Sequence, residues 1–257
     1  MKVQPFFHRQ TGTLTYIVSQ SQQAIVIDPV LDYVDGKISH DSLKKVVDEL
    51  KSQDLELQYI LETHIHADHL SGAQALQQYA GGKTAISTKI ADVYDTWVET
   101  VNGKPLASFD ILLNDGDTLP FSDISVNVLA TPGHTPADLT YHIDDSIFVG
   151  DTLFAPHRGT ARADFPGGSA NDLYRSISRL YGLPDNTKVY LCHDYPSDDE
   201  EPDVYSTLAE QKSENVMLSG KVSEEEYVAA RLERDNKLAI PKLLDVAIPF
   251  NLTYALP

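Results

Sequence analysis

The sequence has a single cysteine, Cys192, in 257 residues. One cysteine excludes an internal disulfide and any cysteine-rich zinc module, and a lone thiol suits a reducing compartment. Positive charge is also scarce. Lys and Arg number 20 against 38 Asp and Glu, a formal net charge of −18 with histidine neutral. Nucleic-acid binding and polybasic membrane attachment both need clustered cations, so neither class is expected. No apolar run approaches the roughly 18 residues of a membrane span. The start, MKVQPFFH, carries neither a continuous apolar stretch nor a small-residue cleavage site, so a cytoplasmic protein is expected. Internal repeats, low-complexity tracts and long linkers are absent too. The length suffices for a core that needs no covalent staples.

What is present is a series of short apolar runs punctuated by turn residues. TLTYIV at 13–18, AIVI at 24–27 and LQYIL at 57–61 are β-branched, aromatic or apolar and read as strands. Residues 42–50 carry apolar positions at helical spacing, with Asp41 or Ser39 as cap, and 71–79 reads as a helix closing on Gly81-Gly82. A turn-rich strand pair is expected over 111–129 around Asn114-Asp115-Gly116-Asp117 and Ser122-Asp123, and a hairpin around Asp144-Asp145. An amphipathic helix is expected over 172–181, capped by Ser169 or Asn171, followed by a strand over 189–191. Helix-like stretches follow at 204–218 and 223–238, and the Pro-punctuated end, 240–257, reads as extended. The expectation is one α/β domain spanning 1–257, two sheet layers with helices outside, with 204–257 a helical and extended C-terminal tail packed on it.

Nine histidines occur in the chain, and three fall within six residues: His64, His66 and His69, interrupted by Asp68 and placed directly after an apolar strand. Residues two apart share a face of an extended chain. Neutral imidazoles with a nearby carboxylate make a transition-metal pocket. Packing so many ionisable groups together with no metal costs several kcal/mol. His134, Asp151 and His193 each follow another apolar strand by one to five residues; neighbouring strands would bring all of these groups to one sheet edge. His8, His40, His142 and His157 lack such a context and read as structural. Cys192 borders His193, and reads as a small buried hydrophobe.

THIHADH (63–69), TPGHT (131–135), VGDTLF (149–154) and LCHDY (191–195) resemble the metal motifs of the metallo-β-lactamase superfamily. The resemblance implies an αββα sandwich with metals at one edge of the two sheets. GTARADF (159–165), Gly167-Gly168, LYRS (173–176) and the tail around LAIPK (238–242) and DVAIPFNL (245–252) resemble one subgroup, the persulfide dioxygenases (sulfur dioxygenases). Where that subgroup carries Gly-Cys-Gly-Arg, this chain has Gly159-Thr160-Ala161-Arg162, a departure beside the expected thiol pocket.

The subgroup resemblance implies one non-haem Fe(II) per chain, held by His64, His134 and Asp151 as a 2-His-1-carboxylate triad. It implies O2-dependent oxidation of glutathione persulfide to sulfite and glutathione. His66, Asp68, His69 and His193 are then outer-sphere groups or an unused second site. Arg162 is the candidate to hold a substrate carboxylate bidentately, and Tyr195 a candidate hydrogen-bond donor; a loop-anchoring salt bridge is the competing role for Arg162. The rival is a Zn(II) hydrolase of glyoxalase-II-like thioesterase or lactonase type. In it His64, His66 and His134 hold one zinc, Asp68, His69 and His193 a second, and Asp151 bridges. A third reading is a non-enzymatic metal-binding partner of a sulfurtransferase, which would be a separate chain. The apolar tail can pack on its own domain or across a homodimer. An anionic thiol approaching so acidic a chain needs local positive charge, for which the metal, Arg162 and Lys242 are the candidates.

Overall fold

The computed structural model describes residues 1–257. The first half of the chain runs β1 (Lys2–His8), β2 (Thr13–Gln20), β3 (Gln23–Ile27), β4 (Val30–Val34), β5 (Lys37–Ser39), α1 (Asp41–Ser52), β6 (Glu56–Leu61), β7 (Leu70–Ser71), α2 (Ala73–Ala80), β8 (Lys83–Ser87), α3 (Ile90–Thr96) and β9 (Ile111–Leu113). The second runs β10 (Thr118–Phe121), β11 (Ile124–Ala130), β12 (Leu139–Ile143), β13 (Ser146–Phe148), α4 (Ala170–Leu180), β14 (Lys188–Tyr190), β15 (Tyr205–Thr207), α5 (Leu208–Glu214), α6 (Glu224–Asp235) and α7 (Leu244–Thr253). Two six-stranded sheets result, in the orders β1-β2-β3-β6-β8-β9 and β10-β11-β12-β13-β14-β15, with a small β5-β4-β7 sheet beside them.

The apolar runs are continuous because their strands are covered on both faces. In β2, Leu14, Tyr16 and Val18 enter the core shared by the two sheets, while Ile17 points to the opposite side. There Ala24, Val26 and Ile60 meet Leu43, Val46 and Leu50 of α1 and Leu76 of α2. Leu173, Ile177 and Leu180, spaced to share one face of α4, join the shared core with β11 and β12. Ser169 caps α4, its side chain accepting from the Asp172 N–H.

Three expectations change. The strand pair expected over 111–129 turns at Ser122-Asp123, between β10 and β11, and the Asn114-Asp115-Gly116-Asp117 turn does not close a hairpin. It carries the chain from β9, at the edge of one sheet, to β10, at the edge of the other. Residues 204–218 begin as a strand, β15, paired antiparallel with β14, before α5 starts. The end of the chain is not extended, because α7 forms across Pro249. An internal proline costs a helix about 3 kcal/mol. Burial of Ala247, Ile248, Phe250 and Leu252 outweighs that cost, since packing of an apolar segment dominates helix stability. Ala247 and Phe250 pack into the layer with α1 and α2.

The topology fixes where the strands end. β3 and β6 run parallel, as do β13 and β14. β11 is two antiparallel steps from β13 and so shares its direction. Each sheet therefore presents several strand C-termini at one edge. Backbone bonds join the two edges: Leu139 N–H to the Thr63 carbonyl at 2.9 Å, Leu14 N–H to Cys192 at 2.7 Å and Asp194 N–H to Gly12 at 2.9 Å.

Candidate metal centre

Each donor follows one of those strand ends. Asp28 follows β3, and Glu62 to His69 follow β6. His134, Asp151 and His193 follow β11, β13 and β14. The structure brings all seven expected donors to one place, in two sets that meet at Asp151, whose Oδ1 lies 3.3 Å from His193 Nε2. Donor atoms of His64, His134 and Asp151 lie within 4.8 Å of one another, and those of His66, Asp68, His69 and His193 do the same.

Hydrogen bonds set the tautomers. The Thr63 hydroxyl donates to Asp28 at 2.8 Å, so its lone pair accepts from His64 Nδ1–H at 3.0 Å. His134 Nδ1–H donates to the Arg162 carbonyl at 2.9 Å, and His193 Nδ1–H to the Gly12 carbonyl at 3.3 Å. In each ring the Nε2 lone pair is left facing inward. Two glycines are required by this packing. A Cβ at Gly150, where φ is +52°, would meet Thr63 Oγ1 at 2.5 Å, and a Cβ at Gly12, where φ is +68°, would meet the Tyr195 ring at 2.5 Å.

The inward atoms have no protein partner. His64 Nε2, His66 Nδ1, His69 Nε2, His193 Nε2 and Asp151 Oδ1 are all buried without a hydrogen bond. One such atom costs about 1–3 kcal/mol, and native proteins hold few of them. Five at one point fit a metal centre. Burial and the surrounding imidazoles push His64 well below its ordinary pKa, and burial with His66 lowers His69 to about 4. Both rings are thus neutral near pH 7, the state a metal requires. Burial opposes ionisation of Asp68, but His193 and His69 outweigh it and hold the carboxylate charged.

His66 is treated differently. Its Nε2 lies 3.2 Å from Asp28 and 3.3 Å from Glu62, both buried. Burial opposes charge on His66, yet these carboxylates raise its pKa well above the ordinary value. Asp28 and Glu62 were not singled out from sequence, although Asp28 ends an apolar strand as His193 does. Nor was Asn251 of α7 assigned a role. Its amide donates to the carbonyls of His66 and His69, both at 2.9 Å, so the far end of the chain clamps the histidine loop. Cys192 is buried with Sγ 3.8 Å from Asp28, and burial raises its pKa well above the ordinary value. It is no nucleophile in this state.

The two candidate substrate residues both face a cavity of about 760 Å³ that opens onto His134, Asp151 and His193. Tyr195 stacks on His193 with ring centroids 6.1 Å apart and planes 5° from parallel. Arg162 departs from the expectation of a free carboxylate fork. Its Nε and Nη2 bind the two oxygens of Asp164 at 2.7 and 2.8 Å, and Nη1 binds the Ala239 carbonyl at 2.8 Å. The edge that would grip a substrate carboxylate is filled. Arg162 is a loop anchor.

The fold and the donor set agree with a comparison across known proteins: a model of the metallo-beta-lactamase superfamily matches residues 8–193. The chain belongs to this superfamily. A crystal structure of ETHE1 from Myxococcus xanthus superposes with a TM-score of 0.80 at 30% identity, covering 98% of both chains. Mouse mitochondrial persulfide dioxygenase ETHE1 is 30% identical over 96% of this chain and 85% of its own length. Glyoxylase B2 of Dictyostelium discoideum is 39% identical over 98% of this chain and 89% of its own. Superfamily members bind metal ions, and the chain is a metal-dependent enzyme of this group, with a mixed α/β fold that matches its structural neighbours. No helix is long and apolar enough to cross a membrane.

Proposed function

We propose that the chain is a non-haem iron persulfide dioxygenase acting on a low-molecular-weight thiol persulfide such as glutathione persulfide. The observation that carries this reading is the division of donors. His64, His134 and Asp151 form a compact set of two imidazoles and one carboxylate, the composition of an iron facial triad with open positions. His66, which a zinc hydrolase would add to His64 and His134, has its Nε2 against Asp28 and Glu62 and, with its Nδ1 unpartnered, groups with Asp68, His69 and His193 instead. Mammalian relatives called persulfide dioxygenases, which align with 96% of the chain, support the same reading.

The overall change is R–S–SH + O2 + H2O → R–SH + SO3²⁻ + 2H⁺. Iron, when bound by His64, His134 and Asp151, supplies the redox capacity for oxidising the terminal sulfur with O2. The chain's own residues position and enclose. Thr63 and the Arg162 carbonyl fix the two imidazoles by their Nδ1–H bonds. Phe165, 5.2 Å from the His134 ring, and Phe154, 6.3 Å from that of His193, give the cavity apolar walls beside the donors. Tyr195, stacked on His193 at the cavity wall, is the candidate hydrogen-bond donor to the incoming thiol carrier.

A zinc-dependent hydrolase of thioesterase or lactonase type is the second reading, favoured by the complete second donor set of His66, Asp68, His69 and His193 and by the Dictyostelium relative's name. Anaerobic purification, elemental analysis and an oxygen electrode separate the two. The dioxygenase is expected to hold one iron per chain, consume O2 with glutathione persulfide and form sulfite. A bound zinc pair with rapid thioester hydrolysis and no O2 uptake would establish the hydrolase instead.

A further inference from the structure

The cavity above the donors is unusual in its charge. The chain has only 20 Lys and Arg, yet Arg9, Arg158, Arg162, Arg231, Arg234 and Lys242 all line this one space. Its acidic lining consists of Asp68 and Asp151, which belong to the donor sets.

Four of the six cations are committed to the protein. Arg9 binds the carbonyls of Ser197 and Glu200, and Arg158 binds Asp194 at 2.8 Å and the Tyr195 carbonyl at 2.8 Å. Arg162 is held by Asp164 and Ala239. Arg231 is buried against Asp235 at 2.6 Å and donates to the Thr160 carbonyl at 2.9 Å. Arg234 and Lys242 make neither a side-chain hydrogen bond nor an ion pair with any part of the chain, and both are exposed at the cavity wall. Partial burial and the neighbouring Arg231 lower the Arg234 pKa from its ordinary value, so an arriving anion relieves a like-charge contact.

The committed cations explain how the free ones are placed. Asp235 at the end of α6 accepts the Ala163 N–H at 3.0 Å, Arg231 of α6 reaches Thr160, and Arg162 reaches Ala239 in the link to α7. Three attachments thus dock α6 and the link, residues 236–243, onto the loop 159–165. Arg234 and Lys242 are carried on that docked arm.

We propose that Arg234 and Lys242 are the specificity-determining residues of the centre, pairing with carboxylates of a small anionic thiol carrier and holding its sulfur toward His64, His134 and Asp151. The inference rests on the persulfide reading for the identity of that thiol. It also resolves the opposition between a chain of net charge −18 and an anionic ligand: two unpaired cations act locally where the global field repels.

The test is calorimetric binding of S-methylglutathione, whose thioether is inert, and of its dimethyl ester, which lacks both carboxylates. The metal-loaded wild type is compared with Arg234→Met, Lys242→Met and the double variant; both side chains are exposed, so folding is retained. The double variant is expected to bind S-methylglutathione at least tenfold more weakly, with each single variant between. The ester is expected to bind weakly and equally to all four proteins. With glutathione persulfide, KM rises while kcat is kept. The proposal is overturned if S-methylglutathione does not bind the wild type, if it binds wild type and double variant alike, or if the ester loses affinity in parallel. The expected binding pattern without O2 uptake supports the anion site and overturns the dioxygenase. O2 uptake with binding indifferent to both residues does the reverse.

Discussion

The two sides of the cavity are built in different ways. On the donor side, each group extends from the end of its own strand, and its geometry is fixed by partners that the same or a neighbouring strand supplies. Thr63 orients His64, and Asp28 orients Thr63 across the parallel pair β3 and β6. On the cationic side, loop 159–165, α6 and the link to α7 have no such framework. They are held to one another by ion pairs and by side chains bonding to distant carbonyls. The sheet edge gives the metal a rigid seat whose position hardly depends on the ligand. The arm gives a wall whose shape depends on a few pairs, where substrate preference can change without disturbing the metal.

The largest expected effect separates the two sides directly. His134→Ala removes one of three donors of its set and should lower metal affinity by more than the ~10–100-fold typical of an outer-shell change. Elemental analysis should find the metal lost and activity gone, while S-methylglutathione still binds through the arm. Loss of both together would mean that the two sides are not independent.

A smaller effect tests how the wall is held. Arg231 is 1% exposed and paired with Asp235. Arg231→Met leaves a buried carboxylate without its partner and should cost roughly 3–5 kcal/mol of stability, read as a lower denaturation midpoint in urea. The metal content of the folded variant should be unchanged. A shift below about 1 kcal/mol would show that the arm does not depend on this pair.

The smallest effect belongs to Arg162. Since its fork is filled by Asp164, Arg162→Ala should keep the metal and raise KM for the proposed persulfide substrate only a few-fold, through loss of the Ala239 anchor. Loss of metal would place Arg162 on the donor side, through the carbonyl that orients His134. A hundredfold rise in KM with kcat intact would return it to direct substrate contact.

Much of the donor side was legible in the sequence. His64, His66, Asp68 and His69 cluster within a few residues of one strand end, and His134, Asp151 and His193 repeat that placement. Strand ends are written locally, in apolar runs that stop at turn residues. The supporting residues were less legible. Asp28 and Glu62 are ordinary acids after apolar strands, and only their approach to His66 Nε2 sets them apart. Asn251 lies 185 residues from the carbonyl of His66 that it holds. No local pattern records such a contact.

The sequence by itself determined the fold class, the two sheets' apolar strands and the set of candidate metal donors, because period-two patterning and strand-end placement are properties of short segments. Tertiary structure decided which sheet β9 and β10 enter, that residues 244–253 form a helix across Pro249, and how seven donors divide into two sets. It also decided which cations are free. Six basic residues of one cavity look alike in the sequence. Only the folded chain pairs Arg162 with Asp164 and Arg231 with Asp235 and leaves Arg234 and Lys242 facing the cavity alone, because the availability of a charge depends on what lies within reach of it in space.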